Sequence, residues 1–399
     1  TWWSARVPAR GSCFPPIRPM PKLLGRLLFL LVLAGALACG WIFYPEIQQF
    51  LFERVVLVTG AAGSIGSELC RQIAEQGTRT LICVDKDENG LFRLEHELKS
   101  LQGETQVHFF LADIKDQGRM EEVFVHWKPE VVFHAAAYKH VPILQHHPVE
   151  AVRNNVGGTR TIARLADLHG VARFVLISTD KAVNPTSVMG ATKRIAERVV
   201  RAVNQRSATQ FTIIRFGNVL GSAGSVVELF RNQIRRGQPV TVTHPDIERF
   251  FMTIPEAVHL VLYSATLGPG GETFILDMGQ QVKIAQLARQ IIRLSGLTPD
   301  VDVPIEFTGL RPGEKLYEEL WTKEEEPTKT GHPGILQAPC TDALPASLTP
   351  QVDALLEAAY NNDLDSCWRS LLTLVPTFQG RTNGLAGLPP DQQEESTAS

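Results

Sequence analysis

Apolar residues recur along this chain in short unbroken runs, each followed by a stretch of helical period. Residues 54–66 read RVVLVTGAAGSIG: a β-branched run too short for a helix, glycines at Gly60, Gly63 and Gly66, then Ser67-Glu68-Leu69 opening a helical pattern. Further runs at Thr80–Val84, Val107–Leu111, Val131–Ala137, Phe174–Ile177 and Phe211–Arg215 predict successive strands, and Lys193–Ala202 an amphipathic helix. Runs without polar alternation are those of strands covered on both faces, so the pattern predicts an α/β fold with a Rossmann-like, doubly wound parallel sheet over 54–236. After Gly237-Gln238-Pro239 short strands and helices mix, which predicts a smaller, partly interleaved α/β region over 237–378. The tail, 379–399, is polar, rich in Gly and Pro, and expected to be disordered.

Residues 1–53 are a different material. Leu27–Tyr44 (27–44) is a continuous run of apolar and small residues at the short end of a bilayer span, preceded by Arg18, Lys22 and Arg26. A membrane anchor is the leading reading; a signal peptide, given Ala36 and Ala38, and a lipoprotein-type site at Cys39 are the rivals. The chain opens on Thr1 rather than Met, as a fragment with spans missing upstream would.

Composition narrows the classes. The 399 residues are 44% hydrophobic and 20% charged, as in a globular enzyme, and a net charge of -3 with no dense Lys/Arg cluster in the folded part excludes a field that attracts nucleic acid. The six cysteines (Cys13, Cys39, Cys70, Cys83, Cys340, Cys367) form no CxxC pair, so free thiols are expected. His134, His140, His146 and His147 lack carboxylates at ligand spacing, and no metal is expected.

Strand, glycine turn and helix start in this order make a dinucleotide-binding unit, in which Gly60, Gly63, Ser64, Ile65 and Gly66 present backbone N–H groups to a pyrophosphate. Asp85, about 20 residues past the glycines, is placed for the adenosine ribose hydroxyls and would repel a 2′-phosphate, favouring NAD over NADP, with Lys86 beside it tempering that preference. Asp113 and Ile114 fall at the adenine edge, and Ala135 and Ala136 near the nicotinamide. Ser178-Thr179-Asp180-Lys181, followed by Met189-Gly190-Ala191-Thr192-Lys193, sets a hydroxyl, an acid and an amine side by side at a strand end, a proton-transfer arrangement. The turn Phe216–Ser222, with Asn218 and Ser222, suits a polar ligand.

Six segments in order resemble the CapD-like polysaccharide-biosynthesis nucleotide-sugar 4,6-dehydratases of the extended short-chain dehydrogenase/reductase superfamily, nearest to the UDP-N-acetylglucosamine 4,6-dehydratases. They are TGAAGSIGSEL, HAAAYKHVPILQHHPVEAVRNNVGGT, STDKAVNPTSVMGATKR, RFGNVLGSAGSVV, IERFFMTIPEAV and GLRPGEKLYEEL, and the likeness runs from about Arg54 to Gln379. Large members of that group carry several spans and a further domain, whereas here one apolar segment precedes the catalytic part.

The resemblance implies conversion of UDP-N-acetylglucosamine to a UDP-4-keto-6-deoxy-N-acetylhexosamine, with NAD taking a hydride from the fourth carbon and returning it to the sixth. By the family pattern Asp180 assists departure of the 6-hydroxyl, Lys181 is the base at the fifth carbon, Thr179 bonds the fourth-position oxygen, and Lys193 binds the nicotinamide ribose. Lys181 needs a lowered pKa for that work, which burial and the nearby Lys193 charge would encourage. Met189 stands where most of the superfamily has a tyrosine base, so Asp180, through Thr179, would take over the fourth-position proton. Lys139, Asn155, Asn218, Ser222, Arg249, Arg311, Glu314 and Glu318 are the implied substrate contacts, the arginines gripping the diphosphate. Two other classes stay open: a nucleotide-sugar 4-epimerase, and a non-catalytic NAD-binding scaffold, which Met189 supports. A homo-oligomer is expected, at the cell inner membrane with the catalytic domain cytoplasmic. Positive-inside logic for a single span would instead export that domain, although nicotinamide and sugar nucleotides are cytoplasmic.

Overall fold

The computed structural model describes residues 45–100, 104–339 and 344–380. The apolar segment 27–44, Cys13, Cys39, Cys340 and residues 381–399 lie outside the described residues. No described helix is long and apolar enough to cross a membrane.

Six strands carry the first half: β1 (Val55–Thr59), β2 (Thr80–Asp85), β3 (Gln106–Leu111), β4 (Val131–His134), β5 (Arg173–Ile177) and β6 (Gln210–Arg215). They pair in parallel in the order β3-β2-β1-β4-β5-β6. β1, β4 and β5 are buried at every position, as their unbroken apolar runs require, while the edge strand β3 is half-exposed. Chain order reverses between β1 and β4, and a crevice at the carboxyl ends of those strands is where an open α/β sheet takes its ligand.

The second half adds β7 (Asn218–Leu220), β8 (Val240–Val242), β9 (Glu248–Arg249), β10 (Phe251–Thr253), β11 (Thr273–Leu276), β12 (Val282–Lys283), β13 (Ile305–Phe307), β14 (Thr328–Lys329) and β15 (Ile335–Ala338). The boundary expected at 236/237 does not separate one body from another. β11 joins the main sheet parallel to β6, and β15 and β14 follow it antiparallel. The helices Leu348–Tyr360 and Leu364–Leu374 also return, burying Leu355, Leu356 and Leu371 against Met189, Ile195 and Val199 of the helix Val188–Asn204. The middle stretch makes a core of its own: Phe230, Val240, Val242, Ile247, Ile291 and Ile292 pack between two helices and the pair β8–β13. Its helix Ile284–Leu294 buries one face through Ile284, Ala288, Ile291 and Ile292.

Two local differences bear on the site. The fourth apolar run leaves the sheet after His134, since its continuation turns in to meet the glycine loop. The helix expected from Lys193 begins earlier, at Val188, because the Ser187 hydroxyl caps it by accepting from Gly190 N at 3.1 Å.

Candidate active site

At the end of β1 the chain turns through Gly60, whose φ of +74° favours glycine. A Cβ on Gly60 would lie 2.5 Å from Ala136 N, and one on Gly66 would lie 1.9 Å from the Gly60 carbonyl, so both positions exclude any side chain. The helix Ser64–Ala74 starts with no side chain capping it, leaving its first N–H groups for a ligand. Asp85 braces the turn: its carboxylate accepts from Ala62 N at 2.9 Å and Asp87 N at 3.0 Å, and keeps lone pairs for a hydroxyl. Ser64 Oγ accepts from Ala223 N at 3.1 Å and ties the glycine loop to the turn that follows Ser222. This backbone-lined cradle, shaped by atoms that tolerate no Cβ, fits a dinucleotide pyrophosphate.

The cradle opens into a cleft of about 600 Å³ lined by Gly60, Gly63, Ser64, Ile65, Gly66 and Ala135 on one side. Thr179, Lys181, Met189, Lys193, Asn218 and Ser222 line it farther in, and exposed Lys139 stands on its wall. Desolvation there lowers the Lys139 amine from its usual value, with Glu228 offsetting some of the effect.

β5 delivers the Thr179–Lys181 turn to the cleft. Thr179 caps the short turn Asp180–Ala182, and its hydroxyl donates to Asp180 Oδ1 at 2.8 Å. The same oxygen accepts from Lys181 Nζ at 2.9 Å, and that amine also donates to Asn218 Oδ1 at 3.1 Å. Glu318 Oε1 is 3.6 Å from Lys181 Nζ. Asp180 is fully buried and Glu318 nearly so, and Asp180 Oδ2 and Glu318 Oε2 have no hydrogen-bond partner among the described residues.

The two lysines come out opposite to expectation. Burial works against the Lys181 ammonium, but Asp180 and Glu318 override it and hold the amine above the ordinary lysine value. Lys193 is buried more deeply than the partly buried Lys181, has Glu197 as its charged neighbour, donates to Ile177 O at 2.7 Å, and is pulled down to about 8 by desolvation. The lowered pKa expected of Lys181 thus belongs to Lys193.

A buried ionic network beneath the site has no signature in sequence spacing. Arg215, 1% exposed, donates to Glu197 through Nε at 2.8 Å and Nη2 at 2.7 Å, and to Glu325 through Nη1 at 2.7 Å. Ser178 Oγ donates to Glu197 at 2.6 Å, joining the network to the Thr179–Lys181 turn. Burial alone would raise the Glu197 carboxyl, yet Arg215 brings it down to about 2. Nearby His134 is buried between Thr59 (2.7 Å) and Thr159 (3.0 Å); the Thr159 hydroxyl donates to Asn155 O, so His134 Nε2–H donates to Thr159 and Nδ1 accepts from Thr59. Desolvation, with Lys193 nearby, drops the imidazole to about 3 and keeps it neutral.

Several expected ligand contacts are spent on the protein itself. Asn155, fully buried in a π-helical turn, gives its amide hydrogens to Tyr138 O and Thr192 Oγ1 and accepts from Tyr138 N and Asn154 Nδ2. It holds Tyr138 in place and has no valence left for a substrate, which corrects that expectation. Ile114 packs in the core against Gly158, where a Cβ would lie 2.4 Å from its Cδ1, and its side chain is not brought to the cleft. Asp113 accepts from Lys115 N at 2.9 Å. Arg249, 8% exposed, donates to Glu248 O, Leu316 O and Lys315 O and lies 3.5 Å from Glu318 and 3.6 Å from Glu314. It anchors the segment Lys315–Glu318 before any ligand arrives. Arg311 is exposed, and with Arg249, Glu314 and Glu318 it lines a second pocket of about 140 Å³. Lys181 lines both pockets.

Known proteins resemble this chain over the same region. It is 52% identical over 282 residues to the capsular polysaccharide biosynthesis protein CapD of Staphylococcus aureus, covering 70% of this chain and 47% of that protein. The chain thus spans about half the length of that relative. An uncharacterized membrane protein of Methanocaldococcus jannaschii is 44% identical, over 71% of this chain and 84% of its own length. Among solved structures, Pen from Bacillus thuringiensis superposes with a TM-score of 0.68 at 33% identity, over 73% of this chain and 89% of Pen. A model of the polysaccharide biosynthesis protein family matches residues 56–339, from the first buried strand to the last, and the chain belongs to that family.

Proposed function

We propose that the chain is a nucleotide-sugar 4,6-dehydratase that acts on UDP-N-acetylglucosamine with NAD in the β1 cradle, for capsular or other surface polysaccharide. Residues 54–236 would hold the cofactor and 237–378 would supply most substrate contacts. One observation carries the reading: Lys181, which lines both the glycine-loop cleft and the Arg311 pocket, is paired at 2.9 Å with the fully buried Asp180 behind it. Gly60, Gly63 and Gly66 would face the pyrophosphate, Asp85 the ribose, and Lys193 the inner end of the dinucleotide. When bound, NAD supplies a reversible hydride sink, which makes the fourth carbon a transient ketone and acidifies the neighbouring C–H.

The residues then account for the protons. The fourth-position hydroxyl gives its proton through Thr179 to Asp180, which returns it to the departing 6-hydroxyl as water forms. Lys181 sheds its own proton to solvent once Asp180 is neutral and burial disfavours the ammonium. It takes the proton from the fifth carbon and later gives it back; Asp180 is then a carboxylate again, and the neutral Lys181 amine recovers from solvent the proton it shed, so each group ends as it began. Met189 has no proton to exchange, which leaves the carboxylate as the acceptor.

Incubating the full chain with UDP-N-acetylglucosamine and NAD and recording proton NMR spectra tests this. A new 6-methyl doublet, lost in Asp180→Asn and Lys181→Ala, is the expected result. Accumulation of the galacto isomer would replace the proposal with a 4-epimerase, and an unchanged spectrum across sugar nucleotides with a cofactor-binding scaffold.

A further inference from the structure

Glu318 has an unusual position for a residue outside the reactive turn. It arrives on the segment that follows β13, far along the chain from β5, and is 4% exposed. Its Oε1 lies 3.6 Å from Lys181 Nζ and 3.5 Å from Arg249 Nε, while its Oε2 is buried without a hydrogen-bond partner among the described residues. A buried carboxylate with half its valence unmet draws on whatever cation it can reach. Asp180, Lys181, Glu318 and Arg249 therefore form a chain of alternating charge that spans both pockets.

We propose that Glu318 is a positioning residue for Lys181, a second carboxylate that competes with Asp180 for the lysine proton and fixes where the amine points. The charged groups facing Lys181 are Asp180 from its own turn, Glu318 from the 311–320 segment and Arg249 from β9; Asn218 on β7 is its neutral partner. Among them, the two carboxylates pull the ammonium up against burial and against Arg249. Glu318 thereby governs when Lys181 is free to accept a proton. Arg249 links this control to the second pocket, because an anion that engages its guanidinium loosens the hold of Arg249 on Glu318. The dependence of turnover on Glu318 rests on the dehydratase reading; the hold on the amine does not.

The test is a titration of the full chain carrying 13C-labelled lysine, following the Lys181 13Cε resonance, assigned by its loss in Lys181→Arg. In the parent the shift should remain that of an ammonium through the ordinary lysine range. Glu318→Gln should bring the midpoint down by about one unit or more, the size of a lost neighbouring charge. Glu314→Gln, which touches Arg249 but not Lys181, should leave it in place. Glu318→Asp keeps the charge one methylene farther away and should give a smaller fall; if the Gln variant does not fold, this variant decides. An unmoved midpoint in the folded variant overturns the proposal whether or not the chain turns over any sugar nucleotide. In the NMR turnover assay the same Gln substitution should shift the alkaline rise in rate to lower pH and change kcat more than KM, and an unshifted profile would remove the functional half of the proposal.

Discussion

Lys181, partly buried, and Lys193, buried, line one cleft, and the protein treats them in opposite ways. Lys181 sits between Asp180 and Glu318, each with an oxygen that no described residue partners, and is held charged. Lys193 has Glu197 nearby, but Arg215 and Arg194 have already claimed that carboxylate, so burial wins and the amine falls to about 8. Burial pushes both amines down, and the unspent charge of the neighbours decides whether it wins. Substituting each lysine should break the symmetry sharply. Lys181→Met leaves the buried Asp180 carboxylate without its cation, while Glu318 keeps Arg249, and should cost about 3–5 kcal/mol of stability as well as turnover. Lys193→Met leaves Glu197 fully paired and should cost about 1–3 kcal/mol, chiefly the orphaned Ile177 carbonyl. Urea unfolding of both variants at pH 7 measures the gap, and equal losses would contradict the argument.

The pH dependence of stability sharpens the same contrast. Lys193 has a folded pKa of about 8, below its unfolded value of about 10.4, so the unfolded chain binds more protons between these limits. Stability should rise across that window as the folded-state cost of charging Lys193 disappears, with a ceiling on the order of 3 kcal/mol. Lys181 runs the other way: its raised folded pKa adds stability that is fully present below about pH 10.4 and is lost only above it. Chemical denaturation from pH 7 to 10.5 should show the rise in the parent and its absence in Lys193→Met. A rise that survives the substitution would mean that another group carries it.

The ease of reading this site from sequence follows the range of the interactions that build it. β1 and its glycine turn are legible because an unbroken buried run and three glycines encode them locally; the close approach of Gly60 to Ala136 emerges only from the fold. Thr179, Asp180 and Lys181 are adjacent, so their grouping is visible too. Their electrostatics are not, because Glu318 reaches Lys181 from a distant segment and Glu325 reaches Arg215 across 110 positions. Asn155 misleads for a related reason: the family resemblance implies a substrate contact, whereas its four side-chain hydrogen bonds all close on Tyr138, Thr192 and Asn154. The 236/237 boundary is blurred because β11, β14 and β15 are short runs whose place in the main sheet depends on partners far away in the chain.

Met189 gives the smallest expected effect. It is 3% exposed, lines the cleft near Lys193, and packs in the cluster that includes Leu355, Leu356 and Leu371. A thioether there can fill space but cannot move a proton, so the contrast between the lysines should not depend on it. Met189→Leu conserves volume and should cost less than about 1.5 kcal/mol. Turnover should stay within about threefold of the parent, a barrier change under roughly 1 kcal/mol. A loss of a hundredfold or more, with NAD still bound and the Lys193 titration unchanged, would show that the sulfur orients the reacting sugar, and the fourth-position proton would then need a route other than Thr179 and Asp180.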